Sequence, residues 1–321
     1  MGGGRMRLNL FQVRIGYATV SSRRIEHYYF SEKDFIPSTT VRGAFLNQLV
    51  RDRGLEELER YFFSPGYPIY GRPSGPIHPL APALGRKRNE YVELPGILQR
   101  WGKEDYGKLL AEIVGGSGQE RIRPKPKTGD IVVPKSSGKV NFFSRISLDT
   151  FIQDNVAIGK GSGSSKTGML FSYEVKDYGD VWVISNLDVE VTEIHVGRGW
   201  TRGLGTGKVV KRGEVDLDLP GPGDVGYCLT PCVPSLLGRE FFSAEEVRGT
   251  TDIYMSWYTW GKRAGLRPSF KVVREGSIVR VKDVDQDRLM ELWPAGLNMM
   301  VKVPDMASLL EKVERGLGVR T

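Results

Sequence analysis

The sequence predicts an α+β protein built on antiparallel sheets, and two observations lead to that prediction. Segments with the apolar alternation of half-buried strands, such as residues 6–20, are separated by helical segments and by glycine- and proline-rich stretches. A strand–helix–strand order then recurs in both halves of the chain, which is compatible with two α+β modules. We expect one module over residues 1–139 and the second over residues 140–321.

The clearest predicted helix covers residues 36–61. Ser38 or Thr39 can cap it. Its apolar side chains fall on one face: Val41, Phe45, Leu46, Leu49 and Val50. Gly43 lies in the first turns, where glycine costs about 1 kcal/mol relative to alanine. That cost suggests that a second backbone or a ligand approaches the helix there.

The rest of the first half predicts irregular structure. Residues 64–96 are rich in proline and are expected to form a surface-running loop. A second helix is expected near residues 104–114. Residues 115–139 predict a mobile basic arm or linker between the modules. Its expected RNA contacts are Arg121, Arg123, Lys125 and Lys127.

The second half predicts strands around short turns. Residues 169–191 indicate two strands with a turn near residues 177–180, and residues 252–283 indicate strand, basic turn and strand. A polar helix is expected near the C-terminus.

Composition indicates a globular protein with an acidic partner. The 321 residues are 40% hydrophobic and include six tryptophans, which is ample for a packed core. The net charge of +8 favours a polyanion. No apolar run reaches the roughly 20 residues of a membrane span, and no signal-peptide core is visible, so we expect a cytoplasmic protein. Cys228 and Cys232, without nearby histidines, make a poor zinc site and are expected to be reduced thiols.

A glycine-rich basic loop at residues 194–215 is the most informative segment. Glycine allows positive φ and close approach of a ligand to the backbone, and interleaved arginines supply bidentate donors for phosphate. A tryptophan in the same loop adds a face on which a base could stack. We therefore predict a phosphodiester-binding loop. Its expected contact residues are Gly197, Arg198, Gly199, Trp200, Arg202, Gly203, Gly205 and Lys208.

The spacing of this loop excludes two nucleotide-binding motifs. A P-loop requires Ser or Thr after Gly-Lys, whereas Val209 follows Gly207-Lys208. The dinucleotide fingerprint opens a helix, whereas residues 209–217 have strand composition. A plain hairpin connection remains an alternative.

Four segments in order resemble the RAMP superfamily, the RNA-binding subunits of CRISPR effector complexes. Residues 35–44, Phe-Ile-Pro-Ser-Thr-Thr-Val-Arg-Gly-Ala, resemble the entry of that family's first helix, although Ser38 stands where glycine is common. Residues 168–174 resemble a strand of type III subunits. Residues 197–207 match the superfamily's glycine-rich loop, and residues 274–279 resemble a strand that follows it.

The resemblance implies tandem ferredoxin-like (RRM-like) modules and a subunit that grips CRISPR RNA (crRNA). The long tail after the loop most resembles the subunit that holds the 5′ handle. Implied partners are crRNA, a large polymerase-like subunit and backbone subunits, with target RNA contacted only indirectly. Arg42 and Gly43 at the helix start would receive phosphate. No cofactor, metal or membrane is implied.

A relative class in the superfamily cleaves precursor crRNA without metal, and His27 is the best candidate here for such a general base. Those nucleases end soon after their glycine loop, whereas this chain continues, so we favour a non-catalytic subunit. Asp34, Asp149 and Asp154 are candidates for a target-cleaving loop acid, with ordinary loop acids as the simpler interpretation. A stand-alone RNA-binding module, or a structural protein whose basic loops bind a protein, remains open.

Overall fold

A computed structural model describes most of the chain. The described residues are 4–20, 23–31, 33–53, 58–84, 89–100, 122–123, 128–158, 161, 165–255, 257–260, 263–266 and 269–318. The predicted helix at residues 104–114 lies outside them, as do Arg121, Lys125 and Lys127.

One large antiparallel sheet organises the molecule. Eight of its strands are β1 (Arg5–Arg14), β2 (Tyr67–Tyr70), β3 (Asp180–Ser185), β4 (Thr206–Asp218), β5 (Val225–Cys228), β6 (Phe242–Arg248), β7 (Ile278–Val284) and β8 (Met300–Lys302). Two short strands, Arg72–Pro73 and Glu193–His195, pair with β2 and β4. The eight strands lie in the order β6-β7-β5-β8-β4-β1-β3-β2.

This order contains the same arrangement twice. Strands β1 to β4 lie as β4-β1-β3-β2, and strands β5 to β8 repeat it as β8-β5-β7-β6, with antiparallel neighbours throughout. This is the strand order of the ferredoxin-like β-α-β-β-α-β motif. The α+β class with antiparallel sheets and irregular insertions is therefore confirmed.

The two sets of strands meet where β4 pairs with β8, at Asp218 and Lys302. Residues 139 and 140, the predicted module boundary, both precede β3 and so fall within the stretch that supplies the first set. Strand topology does not establish which segments fold alone, so that boundary stays a prediction.

Four helices accompany the sheets in the described residues: α1 (Ser38–Arg53), α2 (Ile97–Arg100), α3 (Gln286–Glu291) and α4 (Met306–Leu317). Single 3₁₀ turns occur at Leu58–Arg60, Trp200–Arg202 and Trp293–Ala295. The predicted first helix is thus confirmed but ends earlier. Its expected cap differs, because the Ser38 hydroxyl donates to the Phe63 carbonyl at 2.6 Å. The expected C-terminal helix is amphipathic, since Leu309, Leu310 and Val313 are buried.

Both faces of the part of the large sheet formed by β1 to β4 are buried. Leu10 and Phe11 are consecutive in β1 and point to opposite faces, next to a register shift against β4. Phe11 packs on Phe45 of α1, with ring centres 5.8 Å apart. Leu10 joins a second core that contains Trp182 of β3 and Leu310 of α4. The sheet therefore forms the middle layer between α1 and a second group of elements.

After Pro73, the proline-rich segment belongs to that second group, so its prediction as a surface loop is wrong. Ile77, Tyr91 and Val92 have no solvent exposure and join the Leu10 core. The segment contributes to a six-stranded sheet that continues through the predicted arm. Its strands are Gly75–Pro76, Ala83–Leu84, Glu90–Glu93, Ile122–Arg123, Ile131–Ser136 and Asn141–Arg145.

A third, five-stranded sheet projects beside the glycine-rich loop. Its strands are Tyr17–Ala18, Arg23–Ile25, Tyr28–Phe30, Thr150–Ile158 and Ser165–Asp177. We call it the projecting sheet. Three two-stranded ribbons complete the described strands: Ser235–Leu236 with Arg239–Glu240, Thr251–Tyr254 with Phe270–Val273, and Trp257–Trp260 with Arg263–Leu266.

Candidate nucleic-acid interface

The glycine-rich loop is fixed by backbone hydrogen bonds to the segment that follows β1. The Arg198 amide donates to the Thr19 carbonyl at 3.0 Å, and the Gly205 amide donates to the Tyr17 carbonyl at 2.8 Å. Val196 and Gly205 close the loop at 2.7 Å. Buried Leu204 packs beneath Gly199. The loop therefore has one defined shape.

Positive φ angles confirm why this loop needs glycine. They occur at Gly197 (74°), Gly199 (82°), Gly203 (81°) and Gly205 (72°). A Cβ atom would overlap the Thr19 carbonyl oxygen at Gly197 and the Val196 carbonyl oxygen at Gly205. At these two positions backbone conformation and close packing both exclude a side chain.

Most loop amides serve this shape, which differs from the expected phosphate cradle. Besides Arg198 and Gly205, the amides of Arg202, Gly203 and Leu204 donate to carbonyls of the loop itself. A hydrogen-bonded amide is not free to receive phosphate. The available positive charge is therefore on side chains.

Two loop arginines lie over aromatic rings of the projecting sheet. The Arg198 guanidinium is 4.9 Å from the centre of the Tyr29 ring. The Arg202 guanidinium is 5.3 Å from the Phe171 ring and 5.8 Å from the Tyr173 ring. Tyr173 contacts both Tyr29, at 5.1 Å, and Phe171, at 5.3 Å. We call these five residues the arginine–aromatic cluster.

Trp200 forms a second contact group beside the cluster. Its ring stacks on His195 with centres 5.4 Å apart and an interplanar angle of 30°. The guanidinium of Arg51, near the end of α1, lies 5.7 Å from the Trp200 ring. Half of the Trp200 side chain remains exposed. The expected stacking platform is thus on the surface, with part of its ring already covered by the protein.

Four cations of this surface have no carboxylate partner in the part of the chain that the structure describes. Arg51, Arg198, Arg202 and Lys208 are exposed, and none forms an ion pair with a carboxylate among the described residues. Arg14 differs, because its hydrogen bond to Asp180 at 2.9 Å raises the pKa of its guanidinium. Unpaired cations next to aromatic rings suit a polyanion that also offers flat apolar groups.

Arg42 and Gly43 of α1 differ in their surroundings: Arg42 contacts the protein, whereas Gly43 faces solvent. The Arg42 guanidinium donates to the carbonyls of Tyr61, at 2.8 Å, and Leu58, at 3.2 Å. It therefore fixes the segment after α1. Gly43 is exposed, and a Cβ there would meet no atom within 4 Å, so no other backbone of the described chain approaches it.

The remaining candidates do not take part in the ring and guanidinium contacts of the cluster. Arg123 lies on a strand of the six-stranded sheet. His27 is exposed in the turn of the Arg23–Phe30 hairpin. Asp34 pairs with Lys176 at 2.8 Å, and Asp154 accepts from the Ser172 hydroxyl at 2.5 Å. The Asp149 carbonyl accepts from the Asp177 amide.

Sequence reasoning missed Phe171, Tyr173 and Arg51. The first two are separated by one residue on a strand, and that spacing places them on one face. The sequence therefore carried a signal for this pair. The contact of Arg51 with Trp200 joins distant parts of the chain and left no local signal.

The fold and this surface together define a class: an α+β protein with antiparallel sheets that presents arginines, without carboxylate partners among the described residues, and aromatic rings beside a fixed glycine-rich loop. No protein-family profile and no curated protein sequence matches the chain. Among solved structures, it is similar to a chain in the cryo-EM structure of the Type III-B Cmr-beta bound to cognate target RNA and AMPPnP, state 1. The identity is 12% over 91% of this chain and 93% of that chain, and the TM-score is 0.50. A chain in the structure of the Type III-B Cmr-beta bound to cognate target RNA gives 12% identity, 85% and 86% coverage, and a TM-score of 0.47. The first comparison shows a shared fold.

The described residues meet neither the requirements of a metal site nor those of a membrane-spanning helix. These residues contain no cluster of three metal-ligating side chains and no helix long and apolar enough to cross a membrane. Cys228 and Cys232 are buried and unbridged.

Proposed function

We propose that this chain is a non-catalytic RNA-binding subunit of a type III CRISPR ribonucleoprotein effector, in which it grips the backbone or the 5′ handle of crRNA. The observation that carries this proposal is the arginine–aromatic cluster. Arg198 and Arg202 are exposed there without a carboxylate partner among the described residues, and both lie over aromatic rings.

The cluster suits single-stranded RNA. A guanidinium that lies over a ring keeps its N–H groups directed outward, where they can donate to phosphate. Unpaired bases can stack on nearby rings such as the exposed half of Trp200. Bases in a duplex are already stacked and cannot use those rings.

The assignment to an effector subunit rests on three agreeing features. The fold is similar to that of a chain in an RNA-bound Type III-B Cmr-beta complex. The four sequence segments resemble RAMP proteins in the correct order. The net charge of +8 also favours a polyanionic partner. We infer that the partners are crRNA, a large polymerase-like subunit and backbone subunits, with target RNA met indirectly.

Different roles follow for the predicted site residues. Arg198, Arg202, Trp200 and Lys208 contact RNA, and the loop glycines hold them in place. Arg42 positions the segment after α1 and does not itself bind phosphate, since its guanidinium already donates to carbonyls.

Sequencing the RNA that copurifies with the chain tests the proposal. The tagged chain is isolated from its host beside a variant with Arg198→Ala and Arg202→Ala. We expect small RNAs that begin with repeat-derived sequence, depleted in the variant. Absence of such RNA, or RNA without repeat sequence, would favour a stand-alone RNA-binding module or a protein-binding role.

A further inference from the structure

The projecting sheet has a second face that the proposed RNA contacts do not use. Side chains alternate along a strand, so Tyr28 lies on the face opposite Tyr29. Tyr28 lines a shallow depression with Ile25, Leu170 and Ser172. We call this side the outer face and define it by Ile25, Tyr28, Ile152, Asp154, Val156 and Leu170. Strand register places Val156 opposite Leu170 and Asp154 opposite Ser172.

The outer face is apolar and exposed. Ile152 and Leu170 are each 58% exposed, Val156 is 48% and Ile25 is 47%. Soluble monomers rarely expose aliphatic side chains as one contiguous patch, and such patches mark contact surfaces. The described part of the chain therefore leaves this apolar face uncovered.

Its charge is opposite to that of the arginine–aromatic cluster. Asp154 is exposed and accepts a hydrogen bond from the neutral Ser172 hydroxyl. No lysine or arginine is among the side chains that define the face. An acidic apolar surface repels RNA and the anionic surface of a membrane.

The free backbone at the edge of the projecting sheet favours a polypeptide over RNA as the partner of the outer face. Thr150–Ile158 is the last strand of the projecting sheet, so one side of its backbone pairs with no other described strand. Proteins normally protect such edges with proline or lysine. The sequence of this strand, TFIQDNVAI, contains neither. Before the register shift at Val156–Ile158, this edge can be extended by a polypeptide, whereas RNA cannot complete its ladder.

We propose that the outer face and its edge dock a second protein, through an extended segment with aliphatic side chains and a basic residue that meets Asp154. The aliphatic side chains cover Ile152, Val156 and Leu170. A second copy of this chain fits less well, because it would bring the same acidic face against itself. This inference goes beyond RNA binding, since it concerns the other face of the sheet.

A photocrosslinker placed at Leu170 tests the docking. The full chain carries benzoylphenylalanine at position 170 in its host, and the control carries it at Leu237, which is 99% exposed. We expect one dominant protein adduct at position 170, mapped by mass spectrometry to a segment that combines aliphatic residues with lysine or arginine. No adduct above the Leu237 control, an RNA adduct, or an adduct to a second copy would overturn the proposal.

A charge reversal separates this proposal from RNA binding. Asp154→Lys should lower the adduct yield at position 170 by about tenfold or more, because it sets like charges against each other. RNA affinity and its salt dependence should stay unchanged, and thermal melting verifies folding. An unchanged adduct yield would contradict the proposed basic contact. Loss of RNA binding with retained adduct in Arg198→Ala would leave the docking intact, so the two proposals fail separately.

Discussion

The guanidinium of Arg198 lies 4.9 Å from the centre of the Tyr29 ring, and this contact joins the glycine-rich loop to the hairpin that precedes α1. Arg198 is exposed and Tyr29 is half-buried. The ring therefore holds a long, flexible cation in place at the surface without neutralising its charge. A positioned and unpaired guanidinium loses less conformational entropy when it binds phosphate.

Removal of loop arginines should weaken RNA binding in a salt-dependent way. With Arg198→Ala or Arg202→Ala, we expect the negative slope of log affinity against log salt to become shallower by about 0.7 for each phosphate of a single strand that the variant no longer neutralises. Fluorescence anisotropy with a single-stranded RNA across a potassium chloride series measures this. The control is Arg239→Ala, because Arg239 is exposed but pairs with Glu291. An unchanged slope in both loop variants would remove the loop from the RNA.

Two glycines of the loop should differ in how much their replacement lowers the free energy of unfolding. Gly203 and Gly205 both have positive φ, but a Cβ at Gly203 meets no atom within 4 Å, whereas one at Gly205 overlaps the Val196 carbonyl. Gly203→Ala should cost about 1–2 kcal/mol, because alanine disfavours a left-handed backbone. Gly205→Ala should cost clearly more and also reduce RNA affinity. Urea denaturation with parallel RNA binding compares them, and equal losses would argue against the close packing at Gly205.

Glu93 should be important for the stability of the protein. Its buried carboxylate accepts from His78 Nε2 at 2.6 Å and from the first two amides of α4, Met306 at 2.7 Å and Ala307 at 3.2 Å. Glu93→Ala leaves these donors buried without a partner, and we expect a loss of about 3–5 kcal/mol. Chemical denaturation measures it.

The matched control is Glu90 on the same strand. Glu90 forms a surface ion pair with Lys135 at 2.7 Å, so Glu90→Ala should cost at most about 1 kcal/mol. Similar losses in the two variants would mean that the helix contacts of Glu93 contribute little.

The α+β class and the conformation of the glycine-rich loop could be predicted because both depend on local pattern. Alternating apolar residues specify strands, and closely spaced glycines specify positive φ. Strand pairing could not be predicted. β1 pairs with β3 and β4, which lie far beyond it in the chain, and no local signal identifies partners so distant in sequence.

The proline-rich segment shows a different failure. Its prolines lack amide donors and favour irregular backbone, yet the segment supplies β2 of the large sheet and three strands of the six-stranded sheet. Burial was decided instead by Ile77, Tyr91 and Val92, which fill the core between the large sheet and the six-stranded sheet. The arginine–aromatic cluster was only partly visible for a similar reason, because its members come from three separate segments.

Two buried tyrosines should make the protein sensitive to alkaline pH. Tyr67 donates to the Leu229 carbonyl at 2.6 Å, and Tyr227 donates to the Pro76 carbonyl. Burial raises the pKa of both phenols well above the ordinary value near 10. The folded state therefore retains protons that the unfolded state releases. The stability from this difference is complete below about pH 10 and falls as the pH rises toward the raised pKa values.

Absorbance at alkaline pH measures this effect. The phenols of Tyr67 and Tyr227 should ionise only when the protein unfolds. Tyr67→Phe should reduce the pH dependence of unfolding above about pH 10. Reversible ionisation of every tyrosine before unfolding would contradict the prediction.

His27 should be dispensable for RNA binding. It lines the depression with Leu170 and Ser172 on the outer face, whereas Arg198 and Arg202 lie on the opposite face of the projecting sheet. A general base must reach the proton that it removes, and an RNA held by the arginines runs along the other side. His27→Ala should therefore leave RNA affinity within about twofold of wild type, because its side chain does not touch the RNA. Incubation of the wild-type chain with repeat RNA in EDTA should give no specific product. Arg202→Ala serves as the comparison, since it should lower affinity in the same assay. Specific cleavage that disappears in His27→Ala would instead establish the metal-free endoribonuclease, and would place the RNA on the outer face.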